Sequence, residues 1–135
     1  MTIDANTLIA RARACLERAY APYSRFRVAA AVLDEQGRIY TGVNVENLSY
    51  GLSMCAERVA VFTAIAAGSR RISAVAVASS GADLLSPCGA CRQVLAEFAG
   101  PEAPVYCDAP GRPHEWTVAQ LLPDGFVAKQ LGQNG

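Results

Sequence analysis

The chain has 135 residues, with 12 basic and 12 acidic side chains and a formal net charge of +0 at neutral pH. That length suits one domain with a core of its own, taken as residues 1–135, and the even charge without any run of Lys or Arg excludes the electrostatic footprint of a nucleic-acid binder. Five cysteines, an odd number, with no apolar leader and no long apolar span, point to reduced thiols in a cytoplasmic protein and away from export or a membrane.

Leu8, Ala12, Cys15, Leu16 and Ala19 recur at helical spacing, with Arg11, Arg13, Glu17 and Arg18 largely on the other side. The pattern predicts an amphipathic first helix ended by Pro22, with Cys15 a buried structural thiol on its apolar stripe. Val28 to Leu33 is unbroken apolar sequence, which suits a strand buried on both faces. Asp34-Glu35-Gln36-Gly37 reads as a turn, and Arg38 to Val45 as the return strand of a hairpin. At the end of that strand Asn44 and Glu46 are two apart, so their side chains should point the same way.

Cys55 to Ala67 is apolar almost all round and closes at Gly68, which predicts a helix buried in the centre of the domain. Ser53 is a candidate N-cap that would put Cys55 in the first turn. Glu57 and Arg58 stand out there, because charges in a buried segment are costly unless paired or bound to metal. Ile72 to Ala78 reads as a third strand. Ser86 as cap and Pro87 at the first helical position start a helix running to about Phe98, with Cys91, Val94, Leu95 and Phe98 on one face. Pro104 to Cys107 is a short fourth strand, and the Pro- and Gly-containing stretch after it reads as a loop holding an exposed His114. Thr117 could cap a brief helix through Leu122, and Pro123-Asp124-Gly125 turns the chain into a terminal segment. The fold expected is α/β, a three-layer α/β/α sandwich on a mixed sheet of about five strands.

Cys55, Cys88 and Cys91 supply three soft ligands, and three protein ligands on zinc leave the fourth tetrahedral position to water, as in catalytic sites. Cys88 and Cys91 are spaced to share one face of a first helical turn, while Cys55 comes from another helix start. A helix N-terminus stabilises negative charge and lowers a thiol pKa. Three thiolates and Zn²⁺ still sum to minus one, and Arg58 is assigned to offset this by hydrogen bonding to the sulfurs. Glu57, kept from solvent, has the raised pKa suited to taking a proton from water and returning it elsewhere. A redox pair and a structural zinc site are the competing readings of Cys-x-x-Cys, the second needing Cys107 or His114 as a fourth ligand.

Ala21-Pro22-Tyr23-Ser24-x-Phe26-x-Val28, Gly42-x-Asn44-Val45-Glu46-Asn47-x-Ser49-Tyr50-Gly51, Cys55-Ala56-Glu57-Arg58, Ser86-Pro87-Cys88-Gly89-Ala90-Cys91-Arg92-Gln93 and Leu121-Leu122-Pro123 together resemble the small homotetrameric zinc-dependent cytidine deaminases. Pro-Cys-x-x-Cys with a glutamate that is not a ligand is a general zinc-deaminase signature. The resemblance implies one Zn²⁺ per subunit, held by Cys55, Cys88 and Cys91, whose hydroxide attacks C4 of cytidine or 2′-deoxycytidine. Glu57 would shuttle protons to N3 and to the departing ammonia, a step of pyrimidine salvage. It further implies that Asn44 and Glu46 bind the ribose hydroxyls, that the Ala56 backbone meets the base, that Phe26 packs on the pyrimidine, and that Phe126 closes a neighbouring subunit's site in a homotetramer. A deaminase of the blasticidin S type and a non-catalytic zinc-stabilised binding module are the alternatives. The chain departs from the family's usual pattern at Ala29, where glycine is common, and at Val127 and Ala128, where glycine and proline often follow the late phenylalanine.

Overall fold

The computed structural model describes residues 3–126, so Val127 and Ala128 lie outside the described residues. Helix α1 (Ala5–Ala14) is followed by strands β1 (Val28–Asp34) and β2 (Ile39–Val43), helix α2 (Ala56–Ala66), strand β3 (Ile72–Ser79), helix α3 (Gly89–Phe98), strands β4 (Pro104–Cys107) and β5 (His114–Thr117), and the short helix α4 (Val118–Leu121). The strands form one sheet in the order β2-β1-β3-β4-β5. All neighbours are antiparallel except β3 and β4, which are parallel, so the sheet is mixed as expected.

Every residue of β1 is buried, and the period-two alternation of a strand divides them between two cores. Val28, Ala30 and Val32 pack with Ala60, Val61 and Ala64 of α2, Leu95 of α3 and Leu121 of α4. Ala29, Ala31 and Leu33 pack on the other face with Leu8, Ile9 and Ala12 of α1. The unbroken apolar run of β1 is therefore what two covered faces require, and the three-layer sandwich follows. Cys15 is half-buried beside the second core, its Sγ donating to the Ala12 carbonyl at 3.2 Å.

At the end of β1, Asp34 is a buried carboxyl. Burial alone would raise its carboxyl pKa, but hydrogen bonds from Ser69 Oγ, the Arg38 N–H and side chain, and the Gln36 N–H hold it down at about 2. The Asp34-to-Gly37 turn read from sequence is thus fastened to Ser69, which follows α2.

Three expectations are corrected. Helix α2 is buried on one face only: Ala56, Glu57, Ala60, Val61 and Ala64 face inward, while Phe62 is 44% exposed. An outer-layer helix turns only one side to the sheet, whatever the hydropathy of the other. Both helix starts lie later than the capping signals suggested. Cys55 itself is the N-cap of α2 and Cys88 that of α3, because Ser53 Oγ accepts from Asn47 N–H at 3.0 Å and Ser86 Oγ from Arg92 Nη2 at 3.2 Å. Finally, the loop assigned to His114 is the edge strand β5, paired with β4. Its exposed, polar start carries no apolar alternation to read. Thr117 does cap the last helix, forming a capping box with Gln120.

Strand β2 runs close against α2. A Cβ at Gly42 would stand 2.4 Å from Ala60 N and 2.7 Å from Ala56 O, so only glycine permits this approach. No helix among the described residues is long and apolar enough to cross a membrane.

Candidate active site

The N-termini of α2 and α3 bring three cysteines together. Cys55 Sγ lies 3.6 Å from Cys88 Sγ, which lies 3.4 Å from Cys91 Sγ, and all three sulfurs fall within 4.8 Å of one another. Tetrahedral zinc with Zn–S bonds of about 2.3 Å sets its sulfurs roughly 3.8 Å apart, so the donor set fits that ion in type and in spacing. Among the described residues neither Cys107 nor His114 joins the cluster. Cys107 packs in β4 and donates to the Leu85 carbonyl at 2.6 Å, whereas His114 is exposed, its ring tilted against that of Trp116. A closed four-ligand structural site therefore has no fourth protein ligand among the described residues.

Charge is distributed unevenly over the sulfurs. The Cys55 thiol is held down at about 5, first by the hydrogen bond with Cys91 and then, against burial, by Arg58. With that charge in place Cys91 is pushed up by the same contact and by its own burial. Arg58 Nη2 donates to Cys55 Sγ at 3.3 Å, and its Nε is buried without a partner. The guanidinium thus meets the cluster through Cys55.

Glu57 is 4% exposed. Burial, reinforced by the negative Cys55, raises its carboxyl above the ordinary range, although its own amide and Arg58 pull the other way. This is the environment that readies a carboxylate to exchange a proton near neutral pH.

A cavity of about 500 Å³ adjoins the cluster, within the ~300–1,000 Å³ usual for small-molecule sites. Cys55, Ala56, Glu57 and Cys88 line it together with Phe26, Val28, Asn44 and Glu46. Asn44 and Glu46, which follow the end of β2, both line this cavity. Asn44 Oδ1 accepts from Val28 N–H at 2.9 Å and its Nδ2 donates to the Phe26 carbonyl at 2.8 Å. Glu46 Oε1 accepts the N–H groups of Tyr23 and Ser24, and Oε2 the Ser24 hydroxyl. Phe126 is not brought to this cavity: it is 58% exposed, with its carbonyl accepting from Gln93 Nε2 at 2.8 Å.

Sequence reasoning assigned no role to Tyr23, Ser24, Tyr50, Met54 or Leu85 and read Ser53 and Ser86 only as helix caps, yet all seven also line the cavity. Tyr23, Ser24 and Tyr50 lie within the quoted motifs, but nothing local in their spacing shows that they face Glu46 or the cysteines.

A thiolate-ligated metal site at two helix starts, with a buried carboxylate beside it, on a three-layer mixed sheet, defines a class of hydrolytic metalloenzyme site. Residues 3–107 match the cytidine and deoxycytidylate deaminase zinc-binding region, and the chain belongs to that family. A cytidine deaminase of Sporosarcina psychrophila is 47% identical over 130 residues, covering 96% of both chains. One from Mycobacterium tuberculosis is 45% identical over 129 residues, 96% of this chain and 94% of its own. The crystal structure of cytidine deaminase from Burkholderia pseudomallei superimposes with a TM-score of 0.85 at 44% identity, covering 92% of this chain and all of the other.

Proposed function

We propose that the protein is a zinc-dependent deaminase converting cytidine and 2′-deoxycytidine to uridine and 2′-deoxyuridine with release of ammonia, in pyrimidine salvage. One observation carries this reading: the buried Glu57 and the cysteine cluster open into the same cavity as Asn44 and Glu46. A reacting amine and a sugar diol then find their chemistry within one pocket.

Cys55, Cys88 and Cys91 would hold the ion. Zinc bound there supplies a Lewis acid that lowers the pKa of water toward neutrality. Arg58 offsets the surplus negative charge of three thiolates through its bond to Cys55. Glu57 would take a proton from the attacking water and give it to N3 of the base, then take the proton of the hydroxyl now on C4 and pass it to the amino nitrogen, which leaves as ammonia while C4 becomes a carbonyl. Its burial beside the cysteines keeps bulk water from competing for that proton. The Ala56 N–H, first in α2 and without an intrahelical acceptor, is available to the base. Phe26 offers its ring to the pyrimidine. Asn44 retains one N–H and Glu46 a lone pair for sugar hydroxyls.

We further place the chain as a single domain working as a cytoplasmic homotetramer, where reducing conditions keep the ligand thiols free. Its partners are nucleosides and copies of itself rather than nucleic acid or membrane. Exposed Leu48, Tyr50 and Leu52, in a segment that also lines the cavity through Tyr50, support contact between subunits near the site. Phe126 would close a neighbour's site.

Metal analysis with an ammonia-release assay on cytidine, 2′-deoxycytidine and deoxycytidylate tests the reading. Zinc without turnover on any of them would overturn it. Glu57→Gln should keep zinc and fold but lose about 10²–10⁴ in kcat. Near-normal turnover in that variant would remove the proton-transfer role.

A further inference from the structure

Ser24 has a hydroxyl that neither the metal cluster nor the proton transfer uses, and it joins two separate segments of the cavity wall. Its Oγ accepts the Phe26 N–H at 3.0 Å and donates its own proton to Glu46 Oε2. The N–H groups of Tyr23 and Ser24 meet the other carboxylate oxygen, Oε1, at 3.0 and 3.1 Å. A serine hydroxyl has one proton and two lone pairs. Accepting from Phe26 fixes the oxygen's orientation and leaves its proton for Glu46. A serine that only stabilised its own turn would need the Phe26 bond alone. The bond to Glu46 instead crosses 22 residues of sequence and completes a grip on both carboxylate oxygens.

The grip decides what Glu46 presents. With Oε1 taken by two N–H groups and Oε2 by one hydroxyl, the acceptor capacity left for a ligand is on Oε2. Asn44, the neighbouring sugar-facing residue, is fixed just as firmly, between the Val28 N–H and the Phe26 carbonyl. Both polar groups are thus oriented before a ligand arrives, which spares the ordering of a flexible glutamate on binding.

We propose that Ser24 is a positioning residue for the sugar end of the substrate: by fixing Glu46 it aims one carboxylate oxygen at a ring hydroxyl of the sugar and so selects nucleosides that carry one. This rests on the deaminase reading above. The same hydroxyl is the largest cause of the Glu46 carboxyl lying below its ordinary range.

The test compares wild type, Ser24→Ala and Ser24→Thr, with 2′-deoxycytidine as substrate and 2′,3′-dideoxycytidine, which lacks the 3′ ring hydroxyl and keeps the 5′ one, as a competitive ligand. Ser24→Ala should raise KM for 2′-deoxycytidine about tenfold, the scale of one hydrogen bond to a charged group, with kcat changed less than about twofold. The inhibition constant of the dideoxy compound should stay within about twofold, Ser24→Thr should restore KM, and Ser24→Ala should add little to Glu46→Gln. Unchanged KM, or an equal loss toward both nucleosides, would overturn the assignment. A wild-type protein inert toward cytidine and 2′-deoxycytidine would overturn the deaminase reading and this inference together, whereas an active wild type with an indifferent Ser24→Ala overturns the inference alone.

Discussion

Cys88 is the middle member of the sulfur cluster, within 3.6 Å of Cys55 and 3.4 Å of Cys91. Replacing it with alanine leaves two thiols, and Cys88→Ala should weaken zinc binding by more than the ~10–100-fold that loss of an outer hydrogen-bond partner costs. Full zinc stoichiometry in that variant, measured by metal analysis after dialysis, would take Cys88 out of the ligand set. The cysteines and Glu57 were legible in sequence because their chemistry lies in residue type and in short spacings at helix starts. Ser24, Leu85 and Ser86 were not, since their place beside the cavity is set by contacts between distant segments. Arg58 was legible by its neighbourhood to Cys55, although its buried and unpartnered Nε could not be read from sequence.

At the scale of elements, β2 lies close against α2, and Gly42 is the condition of that approach. Gly42→Ala would press a methyl group onto the Ala60 and Ala56 backbone, which cannot rotate away, and should cost about 1–3 kcal/mol in urea denaturation. The close approach was not legible, because Gly42 in an alternating run reads simply as a weak strand residue. The turn after β1 carries a pH dependence. Asp34 titrates near 2 in the folded chain against 3.8 unperturbed, so its contribution is fully present above about pH 4 and is lost as pH falls toward 2. Acid unfolding followed by circular dichroism should show this loss, and Asp34→Asn should blunt it while destabilising the protein at neutral pH. Strand β1 was legible because two covered faces leave an uninterrupted apolar run. Strand β5 was hidden because an edge with exposed His114 and Glu115 has no buried face to mark it.

At the scale of the whole molecule, Leu48 is 77% exposed and Leu52 69%, more apolar surface than one short segment ordinarily shows to water. Leu48→Asp combined with Leu52→Asp should reduce the mass seen by light scattering and lower activity with it. A wild type that is monomeric at assay concentration would remove the homotetramer. The architecture as a whole was legible from the order of elements, since an initial hairpin followed by alternating helices and strands leaves few ways to cover both faces of a sheet. The two N-cap cysteines have a further consequence. Neither Cys55 nor Cys88 makes a side-chain cap bond to its helix, and the segment between them contains β3, the strand that joins the antiparallel and parallel parts of the sheet. An ion gripping both ends of that segment acts as a reversible cross-link around the middle of the fold, so the melting temperature should climb with free zinc and make metal supply a measure of folded lifetime.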